Sequence, residues 1–258
     1  MTAGLPAFGA FQADPAWRCI DLLSDVHLHA DMPRTFAAWR QHLLSTPADA
    51  VLILGDLFEV WVGDDAASGA FAADCVAVLR AASQSRMLGF LPGNRDFLVG
   101  DALLAAASMQ RLADPTVLQA YGKRWLLSHG DALCTADTAY QQFRQQVRSS
   151  AWQQAFLAQP LAERERQARA MRDASAAHQA DLGPAHWSDV DDGAAAQWLE
   201  AAGCSTLIHG HTHRPDTHTL LGRFSRHVLG DWDFDHGAPR ARALRLSAAG
   251  LQMLDLAA

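Results

Sequence analysis

Short apolar runs alternate with helix-patterned stretches along most of the chain. Cys19-Ile-Asp-Leu-Leu-Ser24, Ala50-Val-Leu-Ile-Leu54, Met87-Leu-Gly-Phe-Leu91, Arg124-Trp-Leu-Leu-Ser128 and Ser205-Thr-Leu-Ile208 are each brief and bounded by polar residues or glycine. They are too short for helices, so each predicts a buried strand. Between them Phe36, Trp39 and Leu43 recur at helical spacing and predict one amphipathic face, and the Ala-rich stretch from about 67 to 82 predicts a second helix. Strands alternating with helices predict a layered α/β (or α+β) fold on a mostly buried sheet.

One stretch breaks the alternation. From Asp137 to about Asp192 no strand pattern occurs, only Gln-, Ala- and Arg-rich sequence with aromatics at Tyr140, Phe143, Trp152, Phe156 and Trp187. This predicts helices inserted between two sheet strands, approximately residues 137–190, within a single domain of residues 1–258. Arg164, Arg166, Arg169 and Arg172 make the insert locally positive. That charge is either a solvated helix face or the working side of a lid whose arginines meet phosphate or anionic lipid. Residues 1–18 are expected to be an extension, a loose arm outside the fold. No internal repeat or inter-domain linker is visible.

Composition narrows the class. With 258 residues, 50% hydrophobic and 19% charged, the chain can bury an ordinary core and does not resemble a disordered scaffold. A formal net charge of -7 speaks against a nucleic-acid partner. Cys19, Cys75, Cys134 and Cys204 form no CxxC pair, which excludes a zinc ribbon and fits free thiols in a reducing compartment. The first residues lack a basic segment followed by an apolar core, and no apolar run approaches the roughly 18 residues of a membrane span. A cytoplasmic location is expected, with contact at a membrane surface left open.

The candidate chemistry sits where the strands end. They run into Ser24-Asp25-Val26-His27, Gly55-Asp56, Gly93-Asn94-Arg95-Asp96, His129-Gly130-Asp131 and His209-Gly210-His211-Thr212-His213. Ligand sites in open α/β sheets lie beyond strand carboxyl ends, so these residues should converge. Singly each is weak: Gly-Asp is a common turn, and a lone His is more often structural than a ligand. His211-x-His213 is stronger, because period two on an extended segment points both rings one way. Five such elements in succession make coincidence a poor account.

Asp25, Asp56 and Asn94 supply oxygens, and His27, His129, His211 and His213 supply imidazoles. Seven groups are too many for one tetrahedral zinc and suit two metals sharing a carboxylate. The mixed N/O set fits Mn²⁺, Fe²⁺, Zn²⁺ or Co²⁺ without choosing among them. Two divalent ions less two aspartates and a hydroxide leave a small positive charge, which should attract a phosphate or diphosphate and favour a metal-bound hydroxide nucleophile. Arg95 is positioned to add a fork to a phosphoryl oxygen but cannot donate a proton. The implied reaction is phosphoester or phosphoanhydride hydrolysis.

These motifs, DxH, GD, GN[HR]D, H and GHxH, resemble those of the calcineurin-like metallophosphoesterase superfamily from Asp25 to His213. The resemblance implies a four-layer α/β/β/α sandwich with one metal on Asp25, His27, Asp56 and His213. It puts the other on Asp56, Asn94, His129 and His211, with Asp56 bridging. A narrower likeness runs through GDLFEVWVGDD, GNRDFLVG, His129-Gly-Asp-Ala-Leu-Cys-Thr135, Asp137 with Tyr140 and Phe143, and IHGHTHRP. These are similar to the UDP-2,3-diacylglucosamine hydrolases of lipid A biosynthesis, which have Arg where the superfamily commonly has His.

That likeness implies two Mn²⁺ per chain and cleavage of the substrate diphosphate to UMP and 2,3-diacylglucosamine 1-phosphate. It makes Asp56, Asn94, Arg95 and His211 catalytic, and it puts Asn94, Arg95, Asp137, Ser175, Gln179 and His211 against the acylated UDP-sugar. Gln179 stands where the family has an Asn, and the family's Lys has no counterpart. It further implies a helical cap over the acyl chains and peripheral work at the cytoplasmic face of the inner membrane, and a monomer is expected. Two other readings remain at this point. One is a dinuclear hydrolase of dinucleoside polyphosphates, nucleic acid or phosphoprotein. The other is a non-catalytic scaffold, which the full ligand set argues against.

Overall fold

The computed structural model describes residues 5–182 and 188–258, with backbone alone over 173–182. Two six-stranded sheets lie face to face. The first has the order β12-β11-β2-β3-β4-β5, from Gly250–Asp255, Arg242–Ser247, Cys19–Leu23, Ala50–Leu54, Met87–Leu91 and Gln110–Arg111. The second is β1-β6-β7-β8-β10-β9, from Gly9–Gln12, Thr116–Ala120, Lys123–Leu127, Thr206–His209, Phe224–Val228 and Thr217–Leu220. Helices α1 (Pro33–Ser45), α2 (Ala70–Ser83) and α3 (Asp101–Ala107) cover the first sheet, and α7 (Asp192–Ala202) covers the second.

The apolar runs follow from these layers. Strand β3 is buried on both faces: Val51 and Ile53 pack with Trp39, Leu43 and Leu79 of the helices. Ala50, Leu52 and Leu54 turn the other way, into the core shared with Leu118, Trp125, Leu127 and Ile208 of the second sheet. A strand covered on both faces has no polar side to show, hence an unbroken apolar run. Strand β2 buries one charge, Asp21. It lies opposite Arg245 in the antiparallel register with β11 and receives that guanidinium through Nε at 2.7 Å and Nη2 at 2.9 Å. Burial raises a carboxyl, but His42, Arg245 and Thr46 hold Asp21 well below the usual range.

All five expected strands are present, and the Phe36–Trp39–Leu43 face lies on α1. The second helix begins at Ala70, after a short 3₁₀ turn at Asp64–Ser68. Among the described residues before Arg18 the expected loose arm is instead a strand: Gly9–Gln12 pairs in parallel with Thr116–Gln119 and buries Phe11 between the sheets. Four residues with one inward side chain are too few to stand out as a run. The edge strands β9 and β12 escape notice for a related reason, since only Leu220 among their residues is fully buried.

Between β7 and α7 the chain forms α4 (Thr138–Val147), α5 (Ser150–Leu157) and α6 (Leu161–Leu182), as the missing strand pattern predicts. Asp137 and Ser149 cap the first two by accepting from the Tyr140 and Trp152 amides. The insert's charge differs from expectation. Arg164 is buried and bonds Asp65, the Val62 carbonyl and the Gln159 carbonyl. Arg166 pairs with Glu163 and Arg172 with Glu59. Three of the four arginines are therefore occupied by protein groups rather than displayed as a free basic face.

Candidate metal centre

The seven predicted donors converge at the carboxyl ends of strands from both sheets. Asp25 and His27 follow β2, Asp56 follows β3 and Asn94 follows β4, while His129 follows β7 and His211 and His213 follow β8. Ligand atoms of Asp25, His27 and His213 lie within 4.8 Å of one another, as do those of Asp25, Asp56 and His129.

Asp25, Asp56 and His129 are each held by their second atom. Asp25 Oδ2 accepts from Ser24 Oγ at 2.5 Å and the His211 amide at 3.0 Å, which leaves Oδ1 facing His213 Nε2 at 3.3 Å. Asp56 Oδ1 accepts from the Arg95 amide at 2.8 Å. Its Oδ2 lies 3.6 Å from His129 Nε2 and 4.0 Å from His27 Nε2, between the two groups. His129 Nδ1 donates to the Leu54 carbonyl at 2.9 Å, which turns Nε2 inward to Asn94 Oδ1 at 2.8 Å. His211 presents Nδ1 to the same Asn94 oxygen at 2.8 Å. His27 Nδ1 lies 2.8 Å from Glu59 Oε2 while its Nε2 meets His213 Nε2 at 3.3 Å.

The rings do not converge through an extended segment, as period two had suggested. Asp25, His27, Asp56, His211 and His213 all have positive φ, between 52° and 69°. They are five of the eight non-glycine residues in that region among those described. Such conformations cost on the order of 1–3 kcal/mol each and persist where the surroundings enforce them. Here the loops bond across one another: the Asp25 amide donates to the Gly55 carbonyl at 3.1 Å and the His27 amide to the Asp56 carbonyl at 3.0 Å. Gly93 makes the approach possible, because a Cβ there would collide with the Asp56 carboxylate and amide.

The electrostatics are those of a cation well. Burial would lower His129, yet Asp56 and Asp25 hold it up to about 9. Burial and His129 lower His211 to about 4. His213 is raised, the Asp25 charge outweighing its burial. Beneath the metal loops, Asp96 accepts from the Gly93, Asp56, Leu57 and Phe58 amides, and burial with the Asp56 charge pushes it up to about 6. Opposed imidazole nitrogens, inward carboxylate oxygens and anchored outer atoms are what a bound cation requires. The donor set is compatible with a dinuclear centre.

Of the predicted substrate groups, Arg95 is part-exposed at the rim, 3.8 Å from Glu59 Oε1. Asp137 caps α4 one turn from Tyr140, whose ring stacks on His211 at 6.0 Å. The contacts expected of Ser175 and Gln179 lie outside the described side chains. Two residues missed from the sequence prove central. Asp131 receives Tyr140 Oη and Arg144 Nε, each at 2.7 Å, which fastens α4 to the His129 loop. Glu59 touches His27, Arg95 and Arg172. Both lie inside quoted motifs, but nothing in a linear pattern separates a ligand from the group that holds it. Beside the metal loops a cleft of about 350 Å³ opens between Phe97, Leu98 and Val99 of the β4–α3 loop and Gln153 and Leu157 of α5.

Comparison with known proteins agrees with this architecture. The model of the calcineurin-like phosphoesterase family matches residues 20–215. A UDP-2,3-diacylglucosamine hydrolase of Chromobacterium violaceum is 46% identical over 92% of this chain and 98% of its own. Proteins of the same name from Ralstonia nicotianae and Xanthomonas campestris pv. campestris are each 44% identical, over 87% and 91% of this chain and 87% and 98% of their own. The chain belongs to the calcineurin-like phosphoesterases and, within them, to the UDP-2,3-diacylglucosamine hydrolases.

Proposed function

We propose that the protein hydrolyses the diphosphate of UDP-2,3-diacylglucosamine to UMP and 2,3-diacylglucosamine 1-phosphate, with two Mn²⁺ as its metals. The observation that carries the reading is the gathering of Asp25, His27, Asp56, Asn94, His129, His211 and His213 around inward-facing donor atoms. Asp25, His27, Asp56 and His213 would hold one cation, and Asp56, Asn94, His129 and His211 the other. The position of Asp56 Oδ2 between His27 and His129 supports its bridging role. Bound there, the cations supply Lewis acidity to the phosphoryl oxygens and lower the pKa of a water.

The remaining work falls to the chain itself. Arg95, beside Asn94 and part-exposed, offers its guanidinium to a non-bridging oxygen of the diphosphate. Asn94 and His211 orient the reacting phosphorus, and the substrate reaches Asp137 at the start of the insert. No general acid is needed, because the leaving group is itself a phosphate. The cleft has an apolar side of Phe97, Leu98, Val99 and Leu157 where a tail could lie and a polar side of Asp101, Arg111 and Gln153. No helix among the described residues is long and apolar enough to cross a membrane. The reading has a monomer working peripherally at the cytoplasmic face of the inner membrane, where its substrate partitions.

The test is UMP release from the acylated sugar nucleotide with and without Mn²⁺. Metal-dependent release is expected, with label from ¹⁸O-water appearing in UMP. No UMP alongside rapid hydrolysis of a simple phosphodiester would contradict the assignment.

A further inference from the structure

Glu59 stands three residues past Asp56, on a loop whose backbone runs beside the His27 loop. The Leu28 amide donates to the Leu57 carbonyl at 2.9 Å and the Glu59 amide to the Leu28 carbonyl at 3.2 Å. The Trp61 amide then donates to the Arg95 carbonyl at 3.0 Å, so the same loop is fastened on its other side. The Glu59 side chain is only 17% exposed and divides its two oxygens. Oε2 lies 2.8 Å from His27 Nδ1, whereas Oε1 lies 2.5 Å from Arg172 Nη2 of α6 and 3.8 Å from Arg95 Nη1. One carboxylate therefore faces a metal-loop imidazole, an arginine at the mouth of the site and an arginine of the insert.

We propose that Glu59 is a positioning residue that couples the helical insert to the metal centre, so that fixing His27 and seating α6 through Arg172 are one event. The inference rests on the dinuclear reading above. A carboxylate at Nδ1 sets the tautomer and orientation of a metal-binding imidazole and strengthens its Nε2 as a donor. A cation at Nε2 in turn draws Nδ1–H towards Oε2 and stops the carboxylate from turning. Arg172 then meets a stationary charge instead of a mobile one. Such coupling is reciprocal: whatever seats Arg172 must tighten the metal site by the same factor. A Glu59 that merely braced its own loop would lower stability when changed but would not connect metal occupancy to α6.

The experiment measures Mn²⁺ affinity by calorimetry and hydrogen exchange across 161–182, with and without Mn²⁺ alone, on the full chain. In the unmodified protein Mn²⁺ should slow exchange in α6. Glu59→Gln should weaken Mn²⁺ binding by about tenfold or more. It should also abolish the α6 response even at saturating metal. Arg172→Gln should abolish that response while weakening Mn²⁺ by about fivefold. Unaltered affinity in Glu59→Gln, or an α6 response equal to that of the unmodified protein, would overturn the proposal. Should Glu59→Gln not fold, Arg172→Gln decides alone on the same readout, its side chain being 39% exposed. An unmodified protein that takes up no Mn²⁺ would sink the dinuclear reading and the coupling together. Two bound ions with an unresponsive Glu59→Gln would sink the coupling only.

Discussion

The metal loops and the helical insert are built on opposite principles. The loops are short, buried and strained: Asp25, Asp56 and His129 are at most 2% exposed, and their outer atoms are bonded to neighbouring loops. The insert is long and largely polar. Trp152, Phe156, Leu161 and Met171 give it one apolar seam against the core. Arginines supply much of the rest of its hold: Arg144 on Asp131, Arg148 on the Gly93 carbonyl, Arg164 on Asp65 and Arg172 on Glu59. Asp131, Gly93 and Glu59 lie in or beside metal loops, and Asp65 lies in the 3₁₀ turn that follows the Glu59 loop. Donors that must stay fixed are held by cross-bonded backbone, whereas the insert is joined to the core by a seam and a few side-chain clamps.

The comparison is broken most severely from the loop side. Asp56→Ala removes the carboxylate between His27 and His129, and UMP release should fall roughly a thousandfold, as the loss of several kcal/mol of transition-state stabilisation implies. Metal content should fall while circular dichroism stays native; retained activity would contradict the central role of Asp56. Arg95→Ala should cost at least about tenfold in turnover and leave metal stoichiometry intact, because only the main chain of Arg95 touches Asp56. Loss of metal in that variant would show that Arg95 belongs to the centre rather than to the substrate.

The insert side should respond differently. Arg164→Ala leaves the Val62 and Gln159 carbonyls without a donor, at a cost of about 1–3 kcal/mol. That cost should appear as faster hydrogen exchange across 150–172, with Mn²⁺ affinity lowered by less than in Arg172→Gln. Adding the lipid product to the unmodified protein should slow exchange over 137–190, and an unchanged profile would count against the cap. The smallest effect is protonic. With His129 held up to about 9, the metal-free protein carries that proton at pH 7, and coordination must displace it. Mn²⁺ binding at pH 7 should release at least one proton, that of His129 together with whatever charge the raised His213 carries, and affinity should rise with pH until about 9. Calorimetry in two buffers of different protonation enthalpy reads this directly, and identical heats would refute it.

The two regions were also unequally legible in the sequence. The strands β2, β3, β4 and β8, and β7 from Trp125 on, are buried on both faces, so their apolar runs and the polar residues that end them are plain in one dimension. The convergence of the seven donors was readable for that reason. How they converge was not: positive φ at His211 and His213 replaces the extended geometry that period two suggested, and only the neighbouring loops show why. The insert was recognisable as helical from what it lacked. Its arginines misled because charge along a helix reads as solvated, while the carboxylates that neutralise Arg164 and Arg172 lie about a hundred residues earlier, at Asp65 and Glu59. Strand β1 was hidden because it adds only Phe11 to the core.

The most direct test of the central claim is anomalous diffraction at the manganese edge from crystals grown with Mn²⁺. Two peaks should appear, one against Asp25, His27 and His213, the other against Asn94, His129 and His211, with Asp56 reaching both. A single peak, or none among these seven side chains, would contradict it.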